Sequence, residues 1–275
     1  LPLWVGAMLA TGSLSTMSLV WTLVGGGAAL LAGNLSNDIW DFASGADHAA
    51  SVMPDATMTA TGSLIDGRIT SRNAWLVVAV LLMVAVGSGL ALLPGRPWVI
   101  GFALAGLLVA LAYQAPGLRA AYRGYGLGEL CIWAAFGPIP VLAACYVQCG
   151  HIEASAWLFG AVFGLGASLV LYCHHFLHWR ADRVAGKRSP VAVLGPQRAA
   201  WVGLLLTLTY VAASVMSLLV LGAPWWAIVV LALPALALLS VMARWAGDRD
   251  ASAWRLLSSA FVTYMVSSVL VALAL

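Results

Sequence analysis

Long apolar runs separated by short polar connections set the pattern of this chain. Nine runs stand out, near 2–15, 18–42, 73–94, 97–114, 127–149, 154–179, 199–221, 224–243 and 253–275. A helix that crosses a bilayer needs about 20 apolar residues, and the runs lie around that length. None shows the strand alternation of a membrane barrel. The pattern therefore predicts an all-α integral membrane protein with nine transmembrane helices, organised as a single domain over 1–275. The chain opens at Leu1 with no initiating Met, no basic leader and no A-x-A cleavage site. The expectation is that N-terminal residues are missing, not that run one is a signal peptide.

Composition removes the soluble alternative. Of 275 residues, 63% are hydrophobic and 8% charged, against about a quarter charged in soluble domains. The net charge of +3 says little about partners; its distribution says more. Every Lys and Arg except Arg96 lies in the connections after runs two, four, six and eight: Arg68, Arg72, Arg119, Arg123, Arg180, Arg183, Lys187, Arg188, Arg198, Arg244, Arg249 and Arg255. By the positive-inside rule those connections are cytoplasmic and the C-terminus is extracytoplasmic. Every carboxylate except Glu153 falls at or near that same side, which makes the cytoplasmic face the working face. The four cysteines all sit in apolar runs, and Cys145 and Cys149, one turn apart, read as small apolar fillers and not as a disulfide.

Two polar clusters break the apolar pattern. Run two ends Gly33-Asn34-Leu35-Ser36-Asn37-Asp38-Ile39-Trp40-Asp41. Asn34, Asp38 and Asp41 are spaced i, i+4, i+7 and share a helix face. Acids on the last turns of a membrane helix are costly unless paired, solvated or bound to a cation. Carboxylate and amide oxygens are hard ligands that suit Mg2+, which prefers one or two carboxylates plus substrate phosphates. Asp47 and Asp55 read as ordinary solvated acids. Run six ends His174-His175-Phe176-Leu177-His178-Trp179-Arg180-Ala181-Asp182, with Lys187-Arg188-Ser189-Pro190 beyond. His178 and Asp182 are i, i+4, and His174 lies one turn further back. Runs two and six both head for the cytoplasm, so the clusters emerge at one depth. A cavity with acids on two walls, and with Lys187, Arg188 and Arg68 at its mouth, would hold a diphosphate bridged by Mg2+.

The same residues admit other sites. A catalytic zinc needs three ligands in tetrahedral array, and His174, His178 and Asp182 stretch over two turns. A di-iron hydroxylase needs more histidines than the five present. Glu129 is either a helix-start acid favoured by the dipole or a wall of the cavity, and Thr61 to Arg68 either a lid or a surface loop. Nucleotide-binding and nucleophile-elbow patterns are missing from the sequence.

Asn37-Asp38-x-x-Asp41, followed by Gly45-x-Asp47, resembles the first aspartate motif of the UbiA superfamily of membrane prenyltransferases, most closely the 1,4-dihydroxy-2-naphthoate branch of menaquinone and phylloquinone synthesis. Further stretches resembling that branch are Leu1-Pro2-Leu3, Leu111-Ala112-Tyr113, Gly126-Leu127-Gly128-Glu129, Phe136-Gly137-Pro138 and Tyr146-Val147-Gln148. His175-Phe176 through Asp182 to Gly186-Lys187-Arg188-Ser189-Pro190 and Leu194-Gly195 are similar to the phytyl-transferring subgroup of cyanobacteria and plastids. His178 stands where the wider superfamily has a second Asp, and Arg123 to Gly128 carries a register shift.

The resemblance implies nine helices around a central cavity open to lipid. It assigns Asp38, Asp41 and Asp182 to Mg2+ and diphosphate, supported by Asn34 and Asn37. It places Lys187 and Arg68 on the diphosphate. Arg188, Tyr113, Glu129 and His178 complete the candidate substrate-binding residues, the partner of His178 (metal, substrate or neither) being left open. The implied reaction transfers a phytyl or polyprenyl group from its diphosphate to 1,4-dihydroxy-2-naphthoate with loss of CO2. The expected partners are an isoprenoid diphosphate donor, an aromatic naphthoate acceptor and membrane lipid, with no nucleic acid, in a bacterial inner (cytoplasmic) membrane. The alternatives are another acceptor (chlorophyllide, haem, homogentisate or 4-hydroxybenzoate) or a cation-coupled transporter, which would place its charges nearer the midplane.

Overall fold

The computed structural model describes residues 1–10, 14–45, 62–247 and 251–275. Asp47, His48, Asp55, Thr61, Asp248, Arg249 and Asp250 lie outside the described residues. The described residues form helices and connecting turns, with no strand among them. In chain order the helices are α1 (Pro2–Met8), α2 (Thr16–Ser44), α3 (Ser71–Leu92), α4 (Val99–Gln114), α5 (Ala120–Arg123), α6 (Leu127–Phe136), α7 (Pro138–Cys149), α8 (Ala154–Val184), α9 (Pro190–Leu194), α10 (Pro196–Val220), α11 (Trp225–Ala246) and α12 (Ala253–Ala274).

Seven stretches are long and apolar enough to cross a membrane, with α6 and α7 counted as one from Leu127 to Cys149. This is an integral membrane protein. Of the other two predicted spans, α4 has 16 residues and α1 has 7. The helices stop where their backbone chemistry changes. Ser15, Thr70 and Ser252 accept a backbone N–H in the first turns of α2, α3 and α12, satisfying donors the helix itself cannot.

Helix α8 is the axis. Its apolar window is 61% buried, against 17% for α2 and 11% for α3. Phe159, Leu169, Tyr172, Cys173 and Phe176 on α8 enter two apolar clusters, both shared with α10, α11 and α12, the second also with α1 and α7. Helices α2 and α3 instead pair through Ala32, Ile39, Ala74 and Val78 and leave most of their surface to lipid. The outward faces carry Leu, Val and Trp, as expected where the solvent is acyl chain.

The run predicted as one helix over 127–149 is broken. Gly137 sits at φ −122° and ψ −96° between α6 and α7, and Pro138, which has no N–H, opens the second segment. The cause is packing. A Cβ on Gly137 would lie 2.2 Å from the Gly160 carbonyl oxygen and 2.5 Å from Gly164 Cα. Gly160 and Gly164, one turn apart on α8, form the small-residue seam on which the broken helix rests.

Candidate active site

Helices α2 and α8 bring their polar C-terminal turns to the same end of the bundle, and the segment between α4 and α6 runs between them. On α2, Asn37 Nδ2 donates to Asp41 Oδ2 at 3.3 Å. Asp38 is half-buried one turn before Phe42. Gln114, at the end of α4, donates to Ser36 Oγ at 2.8 Å and thereby fixes α4 against the acidic turn. Asn34 is exposed one turn before Asp38.

On α8, Asp182 is buried, and Ser189 donates to its Oδ2 at 2.6 Å from just before α9. The Lys187 ammonium lies 4.0 Å from Asp182 Oδ1, and the Lys187 amide donates to the Asp182 carbonyl at 2.7 Å, closing the loop after the helix. His175, only 4% exposed, lies seven residues before Asp182 on the same face. Its Nδ1 is 3.7 Å from Asp182 Oδ2 and its Nε2 is 3.2 Å from Glu129 Oε1. Glu129 therefore reaches the site as a wall, from the first turn of α6. Its Oε1 is buried and makes no aligned hydrogen bond among the described residues.

Tyr122, on α5, joins the two clusters. Its hydroxyl donates to Asp41 Oδ1 at 3.0 Å, and the Lys187 ammonium lies 5.5 Å from the centre of its ring. Burial first, and then the Asp41 charge, push the Tyr122 phenol up to about 12, which keeps it a donor. The Arg188 amide donates to the Tyr122 carbonyl at 3.2 Å, and the Arg188 guanidinium lies 5.6 Å from the centre of the Tyr125 ring. That close approach explains the turn before α6. Gly124 has φ +81°, and a Cβ there would meet the Arg188 carbonyl at 3.0 Å. Tyr125 and Gly126 follow in the same left-handed region at φ 57° and 75°, which makes a tight turn against Arg188.

A small pocket opens at this end, lined by Tyr113, Glu129, His175, Arg188 and Ser189 among others. The structure thus brings together Asn37, Asp41, Asp182, Lys187, Glu129, Tyr113 and Arg188, either through bonds or along one pocket. His178 meets His174 with ring centres 4.8 Å apart and planes tilted by 49°, and His175 is the imidazole that lies between Glu129 and Asp182. Arg68 is 69% exposed and its bonded partner among the described residues is Asp66. Tyr122, His175, Ser189 and Gln114 were not singled out from the sequence as site residues. The i, i+7 spacing of His175 and Asp182 was a readable signal; the partners of Tyr122 were not.

The donor set fits a hard divalent cation. Asp38, Asp41 and Asp182 offer carboxylate oxygens, and a lysine stands ready for the anion such a cation would carry.

Fold and site together define a helical membrane protein whose acids on α2 and α8, with Lys187 between them, lie at one end of the bundle beside a small pocket that Glu129 and Arg188 line. The UbiA prenyltransferase family profile matches residues 1–266, and the chain belongs to that family. Its fold is similar to the apo structure of a UbiA homolog from Aeropyrum pernix K1, with a TM-score of 0.74 and 22% identity, covering 99% of this chain and 94% of that one. It is similar to a UbiA homolog from Archaeoglobus fulgidus bound to GPP and Mg2+, with a TM-score of 0.67 and 17% identity, covering 99% and 92%. In sequence it is similar to the 2-carboxy-1,4-naphthoquinone phytyltransferase of Synechocystis sp., 28% identical over 203 residues. That match covers 72% of this chain and 62% of the relative, less than two thirds of the relative's length.

Proposed function

We propose that this chain is an Mg2+-dependent prenyltransferase that moves a phytyl or polyprenyl group from its diphosphate to 1,4-dihydroxy-2-naphthoate, with decarboxylation, to give a demethylated quinol. The observation that carries this reading is the Asp41–Tyr122–Lys187–Asp182 chain, which ties two acid clusters to one point. The similarity to a naphthoquinone phytyltransferase supports the acceptor, and the GPP and Mg2+ in a homolog of the same fold support the donor and the cation.

In this reading Asp38, Asp41 and Asp182 hold Mg2+, with Asn34 and Asn37 supporting the α2 wall. The cation supplies charge neutralisation of the departing diphosphate. Lys187 and Arg188 bind diphosphate oxygens directly; Arg68 joins them from the mouth by leaving Asp66. Tyr122 holds Asp41 in place and keeps its own proton. The C1–O bond of the donor breaks with its electron pair passing to the diphosphate, and a ring carbon of the naphthoate bonds to C1. The carboxylate on that carbon leaves as CO2 and returns its electron pair to the ring. Tyr113 and Glu129 orient the acceptor, with Glu129 Oε1 accepting a phenol O–H, while His175 fixes both Glu129 and Asp182. His178, beside His174, borders the donor's path. Catalysis rests on orientation, leaving-group electrostatics and exclusion of water from an allylic cation, so no protein nucleophile is required.

The bundle in this reading has nine transmembrane helices around a central cavity, with α1 and α4 joining the seven long spans, as one domain over 1–275. The basic connections face the cytoplasm of a bacterial inner membrane, and the tail of the donor lies in lipid. The test supplies detergent-purified protein with carboxyl-labelled 1,4-dihydroxy-2-naphthoate, Mg2+, and phytyl or polyprenyl diphosphate in parallel. Labelled CO2 released in step with diphosphate supports the reading. Diphosphate released only with homogentisate, 4-hydroxybenzoate or a chlorophyllide would replace the acceptor, and release with no acceptor tried would refute the assignment.

A further inference from the structure

At the other end of α8 lies a second group of ligand-competent side chains that the reaction does not use. Cys149 closes α7, Gly150 turns the chain at φ +81°, and His151 and Glu153 follow before α8 begins. One donor atom from each of Cys149, His151 and Glu153 lies within 4.8 Å of the others. The His151 Nε2 and Glu153 Oε1 atoms are 2.8 Å apart. Cys145, one helical turn back, lies outside that group of three but next to it. The buried Cys145 thiol and the Cys149 thiol both converge on the His151 carbonyl oxygen, at 3.9 and 3.2 Å.

We propose that Cys145, Cys149, His151 and Glu153 form a binding site for a borderline-soft divalent transition metal, zinc foremost. The donor chemistry selects the class. Two sulfurs, an imidazole and a carboxylate suit zinc and not the hard Mg2+ of an all-oxygen site. The geometry is close to what is required. Zn–S near 2.3 Å and Zn–N or Zn–O near 2.0–2.2 Å place neighbouring tetrahedral ligands roughly 3.3–3.8 Å apart. Rotation about the side-chain bonds of Cys149 and His151 would close the gap of about 1 Å within the group of three, and the Cys145 thiol would turn from the His151 carbonyl to complete the set. The backbone around the donors is already held. Arg96 donates through Nε to the Val147 carbonyl at 2.7 Å and through Nη2 to the Gln148 carbonyl at 3.0 Å. The Gln148 side chain accepts from the Ser15 amide at 2.9 Å. A cation here ties the end of α7 to the start of α8. With α8 31 residues long, the site stands about 40 Å from Asp182 along that helix. It is therefore a structural site, closed by four protein ligands.

The experiment uses the full chain in detergent, with any purification tag removed. The protein is stripped with a chelator under reducing conditions and titrated with Zn2+ against a chromophoric competitor. The expected result is one Zn2+ per chain, with affinity falling by more than the ~10–100-fold that a lost supporting hydrogen bond costs a metal site in both His151→Ala and Cys149→Ser. Both residues lie at the surface, and size-exclusion profiles check that the variants are folded. Asp182→Asn should bind as wild type does. Co2+ in place of Zn2+ should give a thiolate-to-cobalt charge-transfer band that Cys149→Ser weakens. No stoichiometric binding, binding retained in both His151→Ala and Cys149→Ser, or binding lost in Asp182→Asn would each overturn the proposal.

Discussion

The seam between the broken helix and α8 makes a sharp demand on a single atom. Gly137→Ala adds one methyl group at a point where the nearest atoms are Gly160 O at 2.2 Å and Gly164 N and Cα at 2.5 Å. Ordinary van der Waals contact for a methyl starts near 3.4 Å, so roughly 1 Å of backbone must give. None of these atoms belongs to a side chain that can rotate away. Inserting a methylene into a packed core costs about 1–3 kcal/mol, and a clash with backbone on a rigid helix belongs at the top of that range. At about 2 °C per kcal/mol for a chain of this size, the thermal midpoint in detergent should fall by roughly 6 °C. The functional effect follows from the same displacement. Pushing α6 and α7 off α8 lengthens the 3.2 Å approach of His175 to Glu129, so turnover should fall with stability. Gly87→Ala is the control, because a Cβ at Gly87 on α3 meets nothing within 4 Å and should leave the midpoint unchanged or slightly raised. A Gly137→Ala protein as stable as Gly87→Ala would refute the packing account of the break.

Other outcomes follow from the site. Tyr122→Phe removes a charge-assisted hydrogen bond to Asp41 and should lower kcat/KM by roughly tenfold to a hundredfold, read from initial rates of diphosphate release. The folded-state Tyr122 pKa lies above its unfolded value of 10.0, so the stability it confers is present below about pH 10 and lost as pH rises through about 12; thermal midpoints of wild type and Tyr122→Phe should accordingly converge at high pH. Ser189→Ala strips a donor from buried Asp182 and should cost about 1–3 kcal/mol of stability, measured by thermal unfolding. Lys187→Met should raise the KM for the isoprenoid diphosphate far more than the KM for the acceptor, measured in two separate titrations.

Hydropathy read the membrane class correctly because the bilayer demands long apolar helices whatever the tertiary packing. The acids of α2 and the terminus of α8 were legible for a related reason: a carboxylate in such a helix is conspicuous, and helical spacing shows which residues share a face. The break at Gly137 was hidden because hydropathy does not register a Gly-Pro step inside an apolar run, and its partners, Gly160 and Gly164, lie more than twenty residues on. Tyr122 was hidden for a different reason. Its partners Asp41 and Lys187 come from segments on either side of it that only the tertiary fold unites, so no periodicity could announce it. On α8 the i, i+4 spacing singles out His174, His178 and Asp182, and the seven-residue step from His175 puts that imidazole beside the acid as well, a step that single-turn spacing does not mark.

The central claim is that the acids of α2 and of α8 serve one site. The most direct measurement is a double-mutant cycle on kcat/KM for Mg2+-dependent diphosphate release, using wild type, Asp41→Asn, Asp182→Asn and the double variant. If the two carboxylates act on one cation–diphosphate unit, each single change should cost about 10²–10³-fold, and the double variant should be little worse than the poorer single. Losses that multiply, or an Asp182→Asn protein that retains full Mg2+-dependent release, would contradict it.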